Sequence, residues 1–240
     1  MIKEALYKLS YSLFPRRCNL CGEVVALDEE LCEECAIIKM IEGELCSLCG
    51  NPKKECACKK KERKPEYKRF IAPYYYKDSI AAAANRFKDY GYPELAPEMS
   101  KRMAQYISER FSEIDFDCIT FVPLTKKKLE KRGYNQSELL ANGVSEKLKI
   151  PVEELLIKIK NTPQQKRSSA QQRKVNLRGA FDLAEGKSAN GKTILLIDDI
   201  KTTGSTINEC SFVLNAYGAN AVYAATFCMT KPKSKKEEAK

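Results

Sequence analysis

The sequence predicts an α/β fold: a parallel sheet flanked by helices, preceded by a small cysteine-rich module. Three observations lead there. Strand-like and helix-like patterns alternate along residues 70–230. The strand segments 117–123, 193–197 and 221–228 are apolar on both faces, which suits strands covered by helices on both sides. Eight of the eleven cysteines fall within residues 18–58, ahead of that alternation.

Taken in order, a short amphipathic lead (Leu6, Leu9, Leu13, Phe14) opens the chain. The cysteine segment follows and closes in "KKKERKPEYKR" (59–69), whose charge reads as an exposed linker. "RFIAPYYYKD" (69–78) reads as a strand. "DSIAAAANRFKDYG" (78–91) reads as a helix, with Asp78 a candidate N-cap and Gly91 a stop. "PELAPEMSKRMAQYISERF" (93–111) places Leu95, Met99, Met103, Tyr106 and Ile107 at helical steps of three and four. "DCITFVP" (117–123) is a strand ending at Pro123, 135–150 a helix, and "LLIKIK" (155–160) an alternating strand. Residues 161–179, rich in Gln, Arg and Ser, lack apolar periodicity and are expected to form a mobile functional loop. "AFDL" (180–183) and 193–197 are strands, 205–218 a helix, 221–228 a last strand, and the tail 231–240 is expected to be disordered. The division is a module over 1–60, a basic linker over 61–69, and the α/β domain over 70–230.

The lead has no continuous apolar stretch or small-residue cleavage site, and no run approaches the roughly 20 apolar residues that span a bilayer. The expectation is a soluble, cytoplasmic protein. Net charge is +10, and residues 121–180 hold 14 Lys/Arg against 5 Asp/Glu. That segment is either a solvated basic face or a groove for a polyanion, and charge by itself does not choose.

The cysteine spacing is Cys18-x2-Cys21-Gly22, Cys32-x2-Cys35, Cys46-x2-Cys49-Gly50, and Cys56-x-Cys58. Two such knuckles converge four thiolates in the tetrahedral environment that zinc favours, with every position filled by protein and therefore structural. Cys18, Cys21, Cys32 and Cys35 make one expected site, and Cys46, Cys49, Cys56 and Cys58 a second. The tight Cys56-x-Cys58 pair leaves a pairing that mixes the sets open. Cys118, Cys210 and Cys228 sit in apolar surroundings and read as core residues.

The chemistry concentrates in "TILLIDDIKTTGSTIN" (193–208). A buried parallel strand, then two acids, then a Gly/Thr loop, then a helix puts the loop at the carboxyl end of the sheet, where open α/β sheets bind ligands. The N–H groups of Lys201, Thr202, Thr203, Gly204, Ser205 and Thr206, with the four hydroxyls among them, suit a phosphate at the helix N-terminus. Asp198 and Asp199 then need a vicinal diol or a ligand-borne metal ion, and a ribose 5-phosphate offers the diol at its other end. A capping box, Thr206 with Glu209, would account for the loop end alone.

"ILLIDDIKTTGST" resembles the phosphoribosyl-pyrophosphate (PRPP) motif of type I phosphoribosyltransferases. More narrowly, with the cysteine knuckles, "YYYKDSIAAAANRFKDYG" (74–91), "FVPLTKKKLEKRGYNQSELL" (121–140) and "QQRKVNLRGAF" (171–181), nearly the whole chain resembles the ComF family, associated with bacterial competence and DNA uptake. The resemblance implies a type I phosphoribosyltransferase-like sheet behind a double zinc ribbon. It implies PRPP and Mg2+ as ligands, with ribose hydroxyls on Asp198 and Asp199 and the 5-phosphate on Thr202 to Thr206. Lys126 and Lys127 would lie near the pyrophosphate. "KRGYNQ" nominates Arg132, Asn135 and Gln136, and a closing loop carries Arg173 and Asn176. Thr125 stands where many relatives have histidine, and Tyr134 replaces a phenylalanine; the chain has no histidine at all. Three functions follow: Mg2+-dependent phosphoribosyl transfer to an unknown acceptor; handling of single-stranded DNA, alone or with other competence proteins, with the PRPP-type pocket kept for regulation or structure; or a zinc-stapled scaffold with a dead pocket. In the second, Tyr74, Tyr75 and Tyr76 are either stacking platforms or a packed sheet face.

Overall fold

A computed structural model describes residues 14–56, 58, 64–159 and 179–231. Most of the amphipathic lead, residues 161–178 with Arg173 and Asn176, and the tail from 232 lie outside the described residues. In chain order the elements are α1 (Glu33–Ile37), β1 (Arg69–Ile71), β2 (Tyr74–Tyr75), α2 (Asp78–Asp89), α3 (Ala96–Arg110), β3 (Cys118–Phe121) and α4 (Lys126–Arg132). There follow α5 (Gln136–Leu148), β4 (Leu156–Lys158), β5 (Phe181–Leu183), β6 (Thr193–Lys201), α6 (Ser205–Ala216) and β7 (Ala221–Met229).

The main sheet runs β1-β7-β6-β3, with β2 also on β7, and all its pairings are parallel. The strand expected over 69–78 is two short pieces on one neighbour. Pro73 has no N–H for the ladder, and its carbonyl instead accepts from Ile41 N at 2.7 Å. β6 extends four residues beyond Ile197, pairing Asp198 with Thr226 and Lys201 with Met229, so both acids belong to the strand. β4 and β5 form a separate antiparallel pair.

Alternation along β6 divides the core. Leu195 and Ile197 face Phe87, Met99, Met103, Leu140 and Val144 from α2, α3 and α5. Ile194 and Leu196 face Ile207, Cys210 and Leu214 of α6, with Leu155, Leu156 and Phe181. Full burial of each such side chain contributes about 1.5–3 kcal/mol. Cys118, Cys210 and Cys228 are fully buried, as expected of core residues. α3 and α5 touch closely at Gly143, where a Cβ would fall 2.1 Å from Ser100 Oγ.

Two local expectations are corrected, and one open alternative is decided. Asp78 is not the cap of α2; Lys77 occupies that position, and no side chain caps the helix. Tyr74, Tyr75 and Tyr76 are not stacking platforms. Tyr74 packs against Phe227 at 5.5 Å and accepts from Arg102, while Tyr75 and Tyr76 donate to Asn51 and Asn85. The linker is packed at its end: Tyr67 is buried, its hydroxyl donating to Leu48 O at 2.7 Å.

The cysteine module is welded to the sheet domain. Arg86 donates to Cys21 O, Arg102 to Cys35 O at 3.2 Å, Tyr106 Oη to Ile41 O at 2.6 Å, and Phe70 N to Ser47 O at 2.9 Å. Among the described residues, no helix is long and apolar enough to cross a membrane.

Candidate phosphoribose site and cysteine centres

The carboxyl ends of β3 and β6 and the starts of α4, α5 and α6 converge on one region. Asp198 and Asp199 sit at its floor, 9% and 8% exposed. Adjacent strand residues point to opposite faces, and the acids have different partners accordingly. Ser137 Oγ donates to Asp198 Oδ1 at 2.8 Å, and Lys88 Nζ lies 3.8 Å from Asp199 Oδ2. Burial first, then the adjacent Asp199, push the Asp198 carboxyl up to about 7, against the pull of Ser137 and Lys88. Asp199 above all holds the Lys88 ammonium above its usual range.

The phosphate loop leaves β6 through Thr202 and Thr203, both exposed, into α6. Gly204 is the α6 N-cap with φ 77°, a left-handed conformation that glycine adopts without strain. Gly204 has no side chain to cap this 12-residue helix, and in its first turn Ser205 N donates to Thr203 Oγ1 at 3.3 Å. Thr203 Oγ1 and Ser205 Oγ lie 2.9 Å apart at its rim, and Ser205 and Thr206 are partly exposed in its first turn. The capping box does not form: Ser205 and Thr206 lie inside the helix, and Glu209 Oε1 accepts from Gly179 N at 2.9 Å.

Beside the two acids stands a cationic wall. α4 was not foreseen, because "KKKLEKR" buries no residue and so shows no apolar period. It leaves Lys126 and Lys127 in solvent and turns Lys128 partly inward. Burial, then the charges of Lys158, Arg132 and Lys88, hold Lys128 below its ordinary value. Burial also lowers Lys158, although Cys210 and Asp198 oppose it. Four cations thus crowd beside two buried carboxylates, a field suited to a multiply charged anion.

"KRGYNQ" shapes this wall from beneath. Asn135 caps α5, accepting from Ser137 N at 3.1 Å and donating to Val122 O at 3.1 Å. Gln136 accepts from Arg132 Nη1 at 2.5 Å and donates to Lys88 O at 3.3 Å. Arg132 also meets Asp89 at 3.5 Å. Both amides are 5% exposed or less. Lys201 points elsewhere: its ammonium donates to Cys49 O at 3.1 Å and lies 4.4 Å from the Phe70 ring centre. Thr125 Oγ1 is buried at the mouth of β3 and has no hydrogen-bond partner among the described residues. Sequence reasoning missed Lys88, Lys128, Ser137 and Lys158. The first three lie inside quoted motifs, yet only the fold brings them to the acids.

The eight cysteines form two unmixed tetrads, Cys18/Cys21/Cys32/Cys35 and Cys46/Cys49/Cys56/Cys58, with the sulfurs of each within 4.8 Å of one another. Cys21 Sγ and Cys32 Sγ are 3.6 Å apart, as are Cys49 Sγ and Cys56 Sγ. A tetrahedral zinc with 2.3 Å bonds sets its sulfurs about 3.8 Å apart, so both tetrads fit structural zinc. A backbone N–H approaches a sulfur at Cys21 and at Cys58, and all eight thiols are free of disulfides.

Residues 131–240 match the phosphoribosyl transferase domain family, and residues 9–65 the double zinc ribbon domain family. The chain is 29% identical over 217 residues to "DNA utilization protein YhgH" of Escherichia coli K12, covering 89% of this chain and 90% of that one. It is 30% identical over 179 residues to "Competence protein F" of Haemophilus influenzae, covering 72% and 75%. It is 30% identical over 190 residues to "Competence protein ComFC" of Bacillus subtilis, covering 75% and 76%. A double zinc ribbon docked on a phosphoribosyltransferase-like parallel sheet, matched along most of its length by these competence proteins, makes this chain a member of the ComF family.

Proposed function

We propose that the protein binds PRPP with Mg2+ and transfers its phosphoribosyl group to an acceptor nitrogen, releasing pyrophosphate. One observation carries the reading: two buried carboxylates, crowded by four cations, stand near the end of the strand that leads into a helix capped only by glycine at its N-cap. Those three features match the diol, the 5-phosphate and the pyrophosphate of one ligand.

In this reading the first-turn N–H groups of α6 and the Thr202–Thr206 hydroxyls bind the 5-phosphate. Asp199, beside Lys88, and Asp198 accept hydrogen bonds from the ribose hydroxyls. Lys88, Lys128, Arg132 and Lys158 stabilise the negative charge that grows on pyrophosphate as the C1–O bond breaks and the C1–N bond forms. Asn135 and Gln136 act by fixing the backbone and Arg132. Mg2+, when bound with PRPP, supplies further charge neutralisation at the leaving group. The resemblance adds Lys126 and Lys127 near the pyrophosphate; Arg173 and Asn176, which it also nominates, lie outside the described residues. The location proposed is cytoplasmic, where thiolates stay reduced.

Calorimetric titration of PRPP and Mg2+ into zinc-loaded wild type and the Asp198→Ala/Asp199→Ala variant tests the reading. Saturable binding lost in the variant supports it, with a screen of bases for pyrophosphate release to follow; absence of heat from the folded wild type overturns it.

A second reading, single-stranded DNA handling, is favoured by the exposed α4 face, where Lys126, Lys127 and Lys131 surround Leu129, and by the names of the relatives. It requires strand affinity that falls steeply with salt.

A further inference from the structure

Lys201 is the last residue of β6, one step before the phosphate loop, yet its side chain runs the other way. Its ammonium donates to the carbonyl of Cys49, one of the second tetrad's four cysteines, and lies over the Phe70 ring. Its stem passes beneath the loop: a Cβ at Gly204 would come within 2.9 Å of Lys201 Cε. The left-handed glycine that starts α6 therefore rests on the lysine that reaches the knuckle.

Phe70 is gripped from both sides. Its backbone N–H donates to Ser47 O inside the Cys46–Cys49 turn, and its ring fills the space where Gly50 lacks a side chain, 2.7 Å from a Cβ there. On the far side of Lys201, Thr230 N donates to Lys201 O at 2.9 Å and Thr230 Oγ1 to Thr202 O at 3.1 Å. Knuckle, Phe70, Lys201 and loop thus form one continuous stack. The carbonyl that Lys201 holds keeps its place only while the Cys46–Cys49 turn stays folded, and four converged thiolates keep that turn folded only around a metal ion.

We infer that Lys201 is a positioning residue that couples metal occupancy of the second cysteine tetrad to the geometry of the phosphate loop. With the tetrad loaded, the loop is preorganised for a phosphate. When the ion leaves, the knuckle releases Lys201 and the loop loosens. Binding linkage makes the effect reciprocal, so a phosphoribose ligand in the loop holds the second metal more tightly. This last step rests on the phosphoribose reading; the coupling between tetrad and loop does not.

Hydrogen exchange followed by peptide mass spectrometry tests the coupling on the full zinc-loaded chain. Lys201→Met keeps the stem and removes the ammonium. Its amides over 202–206 are expected to exchange about fivefold faster or more, with both zinc ions retained and α5 unchanged. Lys201→Arg, which can still donate to Cys49 O, should restore slow exchange. Cys56→Ser/Cys58→Ser, or wild type stripped of the second ion if that variant does not fold, should loosen the same amides. Unchanged exchange over 202–206 in Lys201→Met, or on loss of the second ion, overturns the inference.

Cysteine alkylation with and without PRPP and Mg2+ reads the reverse direction. PRPP should slow labelling of Cys46, Cys49, Cys56 and Cys58 severalfold in wild type, leave the first tetrad unchanged, and lose the effect in Lys201→Met. Loop exchange that depends on Lys201 while no PRPP binds sinks the phosphoribose reading alone. Normal PRPP binding with loop exchange indifferent to the tetrad sinks the coupling alone.

Discussion

Ser137 Oγ donates a 2.8 Å hydrogen bond to Asp198 Oδ1, tying the start of α5 to the end of β6 across 61 residues of chain. It is a direct support for a carboxyl that is otherwise buried and crowded by Asp199, and it does not offset them: the group stays near 7 instead of 3.8. A folded-state value above the unfolded one means that the native state holds this proton more tightly. Its stabilising contribution is complete below about 4 and is lost as pH rises through about 7. Asp198→Asn keeps an acceptor for Ser137 and removes the charge. The variant should be more stable than wild type at pH 8 by about 2–4 kcal/mol, with the gap closing towards pH 4. Thermal melts at pH 4.5, 6 and 8 check this, and a variant less stable than wild type at pH 8 would refute it.

In the phosphoribose reading, the same bond tunes ligand binding. Removing the hydroxyl in Ser137→Ala deletes an interaction that favours the ionised carboxylate, so Asp198 titrates at still higher pH. PRPP titrates too, so the informative quantity is the difference between two proteins. Ser137→Ala should bind PRPP with Mg2+ about tenfold more weakly than wild type at pH 7 and nearly equally at pH 9. A deficit constant from pH 6 to 9 would mean that Ser137 acts on shape alone.

What the sequence reveals and conceals divides along the reach of its signals. The parallel sheet is readable because Thr193–Ile197 and Ala221–Cys228 are apolar on both faces, and the tetrads because ligand spacing is local. The continuation of β6 through Asp198–Lys201 is not, since charges end the apolar run although the ladder with β7 goes on. α4 leaves no period because nothing on it is buried. Lys88 and Ser137 look like ordinary helix residues until the sheet brings α2 and α5 to the same carboxylates. The three tyrosines stay ambiguous in the sequence, since a run of aromatics cannot say which rings the core takes.

α4 separates lysines that the sequence treats alike. Lys126 and Lys127 are exposed, whereas Lys128 faces Lys158, Arg132 and Lys88. Repulsion among those cations is relieved when a polyanion arrives, and the relief contributes to binding. Lys128→Ala should weaken PRPP about tenfold or more, and Lys126→Ala or Lys127→Ala less than about threefold. The free protein should tolerate Lys128→Ala, or gain slightly, because a crowded charge is removed. Equal losses for all three variants by calorimetry would show that the ligand sees only the net charge of the helix.

The first tetrad predicts what metal removal does to the whole molecule. Cys18, Cys21 and Cys35 are at most 1% exposed and share one core with Phe87, Met99 and Met103 of α2 and α3. Arg86 and Arg102 add hydrogen bonds to Cys21 O and Cys35 O. A ribbon held this way cannot unfold alone: without zinc its thiols repel or reprotonate, the knuckle opens, and the faces of α2 and α3 that it covers become wet. Structural zinc in small modules contributes about 10 kcal/mol or more to the folded form, so its loss exceeds the ordinary stability margin of a domain. Calorimetry of chelator-treated, reduced protein should therefore show the main unfolding transition lowered and broadened, and Cys35→Ser should do the same. A sheet-domain transition unmoved by chelation, with only a small early event added, would mean that ribbon and sheet are energetically separate despite their shared core.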